Sequence, residues 1–395
     1  MPIIRNDILA VYTNRPEDLI IEPGEIDNLL AAMMLRAFFD ARAGKRRTRD
    51  EHIFEVNALD NIMNLCHDVL MRQYHPSPGT AFIVDDPTIR EIFAAPFRDR
   101  VIHHLLYNLN ADWWDRRMCY DSSSCRIGKG TLFATRRLER HIQSITDNYS
   151  KEAYAIGLDI KGYFMSLPRK GLFERVCWGL ERQFPNKGVF YEICRFLWKE
   201  IIFDDPTIGV TRRGSRKDWD KLPISKTLFG QEPGRGIVIG NLSSQLLSNI
   251  YLDVLDQFIV GELGYKHYGR YVDDFFILVT PEQLPQALRD INAIAAKLDE
   301  CGLELHPRKR RVQPVSHGVP FVGSVCYPGR TVPGRRLKEN FYEAAYLYSH
   351  DIAPKEKVIS YLGHVKHING QMLAKRVFDA NGWDFNFFGG SRGNN

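Results

Sequence analysis

The chain has 395 residues, a net charge of +5, 44% hydrophobic and 26% charged residues. That length supports a large core in two or three domains, and the composition excludes a disordered or fibrous chain. No apolar run of about 18 residues exists, which excludes a membrane-spanning helix, and seven cysteines without a Cys-x-x-Cys exclude a zinc site and a disulfide framework.

Pro23-Gly24-Glu25 opens a helix with Leu29, Leu30, Met33 and Met34 on its apolar face. Such a helix packs against the core or, alternatively, binds a partner. A basic run follows, Arg42, Lys45, Arg46, Arg47 and Arg49, and then a second helical pattern from Ile53 to Leu70. Cation runs are solvated faces or phosphate contacts. Pro76-Ser-Pro-Gly79 is a turn, and two short strands, 80–84 and 90–95, flank Asp85-Asp86-Pro87. Residues 97–117 form a helix with Val101, Leu105, Leu106, Leu109 and Trp113 inward. Arg98 and Arg100 flank Asp99 and divide between a structural network and a template contact. His103 and His104 are adjacent, so they face different ways and cannot share a metal. The polar loop 121–131 lacks the P-loop spacing. Its amides, with Arg126 and Lys129, could still cradle a phosphate.

Residues 153–159 are an apolar strand ending in Asp159. A strongly helical, aromatic region covers 171–202. Residues 205–235 are rich in glycine, proline and charge, and too long for an inert connection. A long helix spans 242–263. Gly269 to Val279 then reads as a hairpin with Asp273 and Asp274 at its tip. Asp is common in plain turns, but from Tyr271 to Val279 this pair is the only charge in an apolar sheet edge. Adjacent carboxylates repel, and a cation relieves them. Mg²⁺ suits such a site because it takes few protein ligands beside substrate phosphates. A helix at 281–300 precedes a second basic run, Arg308 to Arg311. Residues 321–327 read as one strand, and helical patterns run from Arg335 through Phe378 before a glycine-rich tail.

Tyr271-Val-Asp-Asp, with Asp159-x-x-x-x-Phe164 upstream, resembles the palm of a reverse transcriptase. The other blocks keep the family's order: Arg90 to Val101, Ile239-Gly-Asn-Leu-Ser-Ser-Gln245, Leu305-His-Pro-Arg-Lys309 and Phe321-Val-Gly323. The Ile239 to Gln245 block is similar to that of diversity-generating retroelement enzymes and some defence-associated relatives.

The resemblance implies an α+β right-hand polymerase with fingers, palm and a short helical thumb. Residues 1–75 would be a helical, basic, RNA-contacting region, 76–320 the fingers and palm, and 321–395 the primer grip, thumb and flexible tail. It implies a cytoplasmic enzyme that joins deoxynucleotides to a primer by two-metal chemistry, with Mg²⁺ or alternatively Mn²⁺. Asp159 and Asp273 would be the firm ligands. Asp274 would be a less direct one, because side chains alternate along a strand. Arg90 would contact the nucleotide's phosphates. Phe164 would be the steric gate against a ribose hydroxyl, with Tyr163 its competitor. Ile239 and Gln245 would border the nascent base pair. An apolar residue at 239 cannot hydrogen-bond there, which suits low fidelity. Lys309 would protonate pyrophosphate, or belong to a solvated face. Arg46, Arg47, Arg98, Arg126 and Lys129 are the candidate nucleic-acid contacts. Partners would be a structured template RNA, dNTPs, a DNA, RNA or protein primer, and an accessory protein or second copy, with no membrane. Two roles compete: error-prone copying in a diversity-generating element, and antiphage defence from a noncoding RNA. A catalytically idle RNA scaffold is a rival of another class, against which the intact acids speak.

Overall fold

The computed structural model describes residues 25–43, 48–85 and 88–383. Lys45, Arg46 and Arg47, the Asp86-Pro87 turn and the glycine-rich tail lie outside the described residues. The strands, in order, are β1 (Thr80–Val84), β2 (Arg90–Ala94), β3 (Tyr154–Asp159), β4 (Thr211–Arg212), β5 (Tyr268–Tyr271), β6 (Asp274–Val279), β7 (Arg311–Pro314), β8 (Val319–Phe321), β9 (Ser324–Tyr327) and β10 (Arg330–Pro333). The fold is α+β, and the chain forms two compact units. One takes the chain up to Cys119, with Lys161–Asp256 and Lys297–Glu304. The other takes Tyr120–Ile160, Gln257–Ala296 and the chain from Leu305 on.

The first unit is mostly helical. Helix Glu25–Arg42 buries Leu30, Met33, Met34 and Phe38 and packs along helix Phe97–Asp115. Phe38, Phe54 and Phe97 form a ring cluster, with centroids 5.4 to 5.9 Å apart. Arg42, the first cation of the basic run, closes its helix against Glu51 and Glu55. β1 pairs antiparallel with β2 on one edge and parallel with β4 on the other. The region 171–202 is two helices, Arg169–Gln183 and Val189–Phe203. Pro185 lies between them, where it removes a backbone donor and clashes with the preceding turn. Residues 205–235 are ordered in short pieces. They include β4 and helix Arg216–Asp220, whose N-terminus is closed by a capping box from Ser215 and Asp218.

The second unit is built on an antiparallel sheet, in the order β5-β6-β3-β7. β6 is apolar after its first residue and buried from Phe275 to Val279. Leu138 and Ile142 of helix Thr131–Ile145 pack with Ala155 of β3 and Phe276 and Leu278 of β6. The stretch 319–327 is a hairpin of β8 and β9, where the sequence pattern read a single strand from 321. Val322 and Gly323 both take positive φ, at 43° and 82°, which matches the right-handed twist of a tight hairpin. Helices Arg335–Ser349, Lys355–Val365 and Gln371–Asn381 close a core of their own around Phe341, Val358, Leu362 and Phe378. Among the described residues no helix is long and apolar enough to cross a membrane.

Candidate active site

The acid-bearing strands are neighbours in the second unit. β3 and β6 pair so that Asp159 lies opposite Asp274. Directly paired residues on antiparallel strands present their side chains to one face. Asp273 belongs to the two-residue turn between β5 and β6, and its carbonyl accepts the Ile160 amide at 3.0 Å. The alternation that separates neighbours within a strand therefore does not apply to this pair, because only Asp274 is in the strand.

The turn is strained. Val272 has a φ of +58°, a left-handed conformation that a β-branched residue rarely adopts. A buried polar clamp holds it. Ser124 Oγ accepts the Val272 amide at 3.1 Å. Arg270, with no exposed surface, donates to the Val272 carbonyl and to Ser122 Oγ, both at 3.0 Å. The loop itself runs beside β5, since Ser123 N donates to the Arg270 carbonyl and Arg270 N to the Asp121 carbonyl. Asp121 anchors the loop through Arg137, at 2.5 and 2.9 Å, and through His141 at 3.0 Å. Burial pushes its carboxyl up, but the His141 and Arg137 hydrogen bonds and charges outweigh that and hold it at about 2.

This clamp is what reading the 121–131 loop for a phosphate cradle missed. Arg126 is buried and donates to the Ser122 carbonyl at 3.0 Å. Lys129 donates to the Tyr120 carbonyl at 2.7 Å and lies over the Tyr120 ring. The available signal was the run Asp121-Ser-Ser-Ser itself, four small polar residues just ahead of an apolar-periodic helix.

The second basic run reaches the acids. Lys309 Nζ bonds both Asp159 oxygens, at 2.9 and 2.8 Å. The Asp159 carbonyl accepts the His306 amide at 2.7 Å, which ties this segment to the end of β3. Burial, with Asp159 and Asp273 beside it, pushes the Asp274 carboxyl up to about 7, against the pull of Arg311 and Lys309. A carboxyl held that high is one a divalent cation would relieve. Among the described residues no group of three or more carboxylate, histidine or cysteine side chains is arranged to hold a metal ion. Mg²⁺ takes one or two carboxylates and completes its shell with water and phosphates, so this donor set fits it.

The first unit holds the remaining candidates. Tyr163 is buried and its hydroxyl donates to the Ser248 carbonyl at 2.6 Å, whereas Phe164 is half-buried. Arg90 is exposed on β2, and Glu91 turns the other way to accept from Thr227 Oγ1 and Leu228 N, each at 2.7 Å. The block at 239–245 is docked on β2 through Phe93 N to the Ile239 carbonyl, at 2.8 Å. Gly240 has a φ of +132°, and a Cβ there would lie 2.5 Å from the Phe93 carbonyl oxygen, so only glycine fits. Ile239 is half-buried against the Phe93 cluster, and Gln245 is exposed in the first turn of helix Leu242–Gln257. Arg98 bonds Asp68 at 2.9 Å, Asp99 at 3.1 Å and the His75 carbonyl at 3.2 Å, and Arg100 bonds the Ala95 carbonyl. Both arginines therefore sit in a structural network.

Among solved structures, the chain is similar to apo telomerase from Candida tropicalis, at 12% identity over 81% of this chain and 60% of that one, with a TM-score of 0.47. It is also similar to telomerase from Candida albicans with a fragment of telomeric RNA, at 12% identity over 82% and 57%, with a TM-score of 0.44. It thus spans less than two thirds of either structure's length. A search of curated protein sequences finds no match. Residues 85–365 match the family described as reverse transcriptase (RNA-dependent DNA polymerase). That span takes in both acid-bearing strands and most of the chain, and on it the protein belongs to the reverse transcriptase family.

Proposed function

We propose that this chain is an RNA-directed DNA polymerase that copies a companion RNA into cDNA. The observation that carries the reading is the register that sets Asp159 opposite Asp274, beside Asp273 and within reach of Lys309. In this reading 76–320 serve as fingers and palm, 321–395 as primer grip and thumb, and 1–75 as the RNA-contacting region. Asp159, Asp273 and Asp274 would hold Mg²⁺ or Mn²⁺. The metal, when bound, would supply charge for activating the primer hydroxyl and neutralising the phosphates.

The chain's own groups do the positioning. The Ser124 and Arg270 clamp keeps the Val272-Asp273 turn in one geometry. Lys309 balances the charge of Asp159, and in this reading it would give a proton to the departing pyrophosphate. Arg90 meets the nucleotide's phosphates, and Gln245 and Ile239 border the nascent pair. Phe164 excludes the ribose hydroxyl, a reading its half-exposed ring supports over the buried Tyr163. The test is extension of a primer on an RNA template with dNTPs, by the wild type and by Asp159→Ala. Product from the wild type alone supports the proposal, and equal product from both sinks it.

The Ile239 to Gln245 block supports a role in a diversity-generating element. The N-terminal 37 residues, a departure from the plain retroelement form, support the second role, in antiphage defence. A variable repeat pair in the neighbouring DNA would favour the first, and a defence cluster with a noncoding RNA the second.

A further inference from the structure

Helix Thr131–Ile145 carries Arg136, Arg140 and Gln143 on one face, at helical spacings of four and three. With the β9–β10 hairpin, this face bounds an open groove of about 380 Å³, inside the ~300–1,000 Å³ range of ligand sites. Arg330, from the hairpin, completes a set of three arginines. Among the described residues, the side chains of Arg136 and Arg140 make no ion pair or hydrogen bond, and Arg330 only lies over the Tyr327 ring, at 4.9 Å. Like charges four residues apart destabilise a helix. The one acid lining the groove, Glu139, makes no ion pair with either arginine among the described residues; its carboxylate accepts the Thr331 hydroxyl. The groove shares no residue with the cleft at Asp159 and Asp274.

Two tyrosines stand beside these cations. Tyr327 is half-buried under Arg330, and Tyr149 is exposed. Asp147, Asn148 and Tyr149 all have positive φ, at 49°, 54° and 72°. Three non-glycine residues in succession in the left-handed region are costly, and such strain gathers where a side chain must be aimed. Here it lays the Tyr149 ring across Gly329, 3.9 Å from where a Cβ on that glycine would sit. Gly329 has a φ of +72°, which suits glycine in the turn.

We propose that this groove binds a single-stranded nucleic-acid segment outside the catalytic cleft, with Arg136, Arg140 and Arg330 on its phosphates and Tyr149 and Tyr327 stacking its bases. Planar guanidinium groups suit phosphate oxygens. Aromatic faces accept any base. The inference rests on the polymerase reading only in taking nucleic acid as the ligand.

The probes are short oligonucleotides, one RNA and one DNA of matching sequence, each carrying a thiolated pyrimidine. The full chain is cross-linked to each by light, and the linked peptides are mapped. Cross-links at Tyr149 or Tyr327 are expected. In anisotropy titrations, replacing the three arginines by Ala should lower the slope of log affinity against log salt by about 2, from about 0.7 per phosphate contact. Tyr149→Ala and Tyr327→Ala should each weaken binding about five- to 150-fold at every salt concentration, with the slope kept. Tighter binding of the RNA probe assigns the groove to RNA, and tighter binding of the DNA probe to DNA. Absence of both cross-links, or an unchanged salt slope in the triple variant, overturns the proposal. Primer extension is run in parallel. If the wild type fails to extend, the polymerase reading falls, while the cross-links judge the groove on their own.

Discussion

Asp159 and Asp274 are direct partners across β3 and β6, so their carboxylates share one face at the end of the sheet. Asp159→Ala and Asp273→Ala should each lower primer extension about a hundred- to a thousandfold, the order lost when a preorganised electrostatic group is removed. RNA binding should stay near wild type. Asp274→Asn should also lower extension, and in metal-free buffer it should raise the melting temperature, because it removes a half-buried charge repelled by two others. Extension assays and melting curves on the three variants check this.

The clamp on the turn makes a separate prediction. Ser124→Ala removes the acceptor for the Val272 amide and should cost about 1 kcal/mol of stability. The larger effect should be catalytic, a fall in turnover of about tenfold from a misplaced Asp273, with nucleotide KM little changed. A variant with full turnover would show that the turn holds its geometry without Ser124.

Sugar choice tests the gate. Phe164→Ala should raise ribonucleotide incorporation relative to deoxyribonucleotide. Tyr163→Phe loses only the hydroxyl that bonds the Ser248 carbonyl, so it should cost about 1 kcal/mol of stability and leave discrimination intact. Competing incorporation of the two sugars on one template decides between the rings.

Asp121 predicts a pH window. Its folded pKa, about 2, lies below the unfolded value of about 3.9. The group's stabilisation is therefore complete above about pH 4 and is lost as pH falls through about 2. A shift of that size is worth roughly 2 to 3 kcal/mol. Asp121→Asn should lower the melting temperature at pH 7, and the gap to wild type should close near pH 2. A gap that persists there would mean the loss is steric.

Fidelity tests the block on β2. Ile239→Gln places a hydrogen-bonding group where an apolar one stands. Discrimination should improve by on the order of 1–2 kcal/mol, about five- to thirtyfold. Sequencing of products from both enzymes on one RNA should show frequent wild-type errors at particular template bases and fewer in the variant. A low, even wild-type spectrum would leave the defence role ahead.

By itself the sequence determined most of the helices, the acid-bearing strands and the chemistry of the acids. Its signals there are local: a period of two in β3 and β6, a period near four in the helices, and Asp159 and the acid pair where apolar runs meet. The steric reason that Gly240 must be glycine, by contrast, needs β2 beside it. Tertiary structure alone decided which acid faces Asp159, because register follows from burying both strands and from the turn that joins β5 to β6. It also decided that Lys309 meets Asp159 from 150 residues away, and that Asp121-Ser-Ser-Ser holds the turn at Val272. Contacts between segments distant in the chain leave no periodicity behind. They are set when packing brings two surfaces together and every buried donor must find an acceptor.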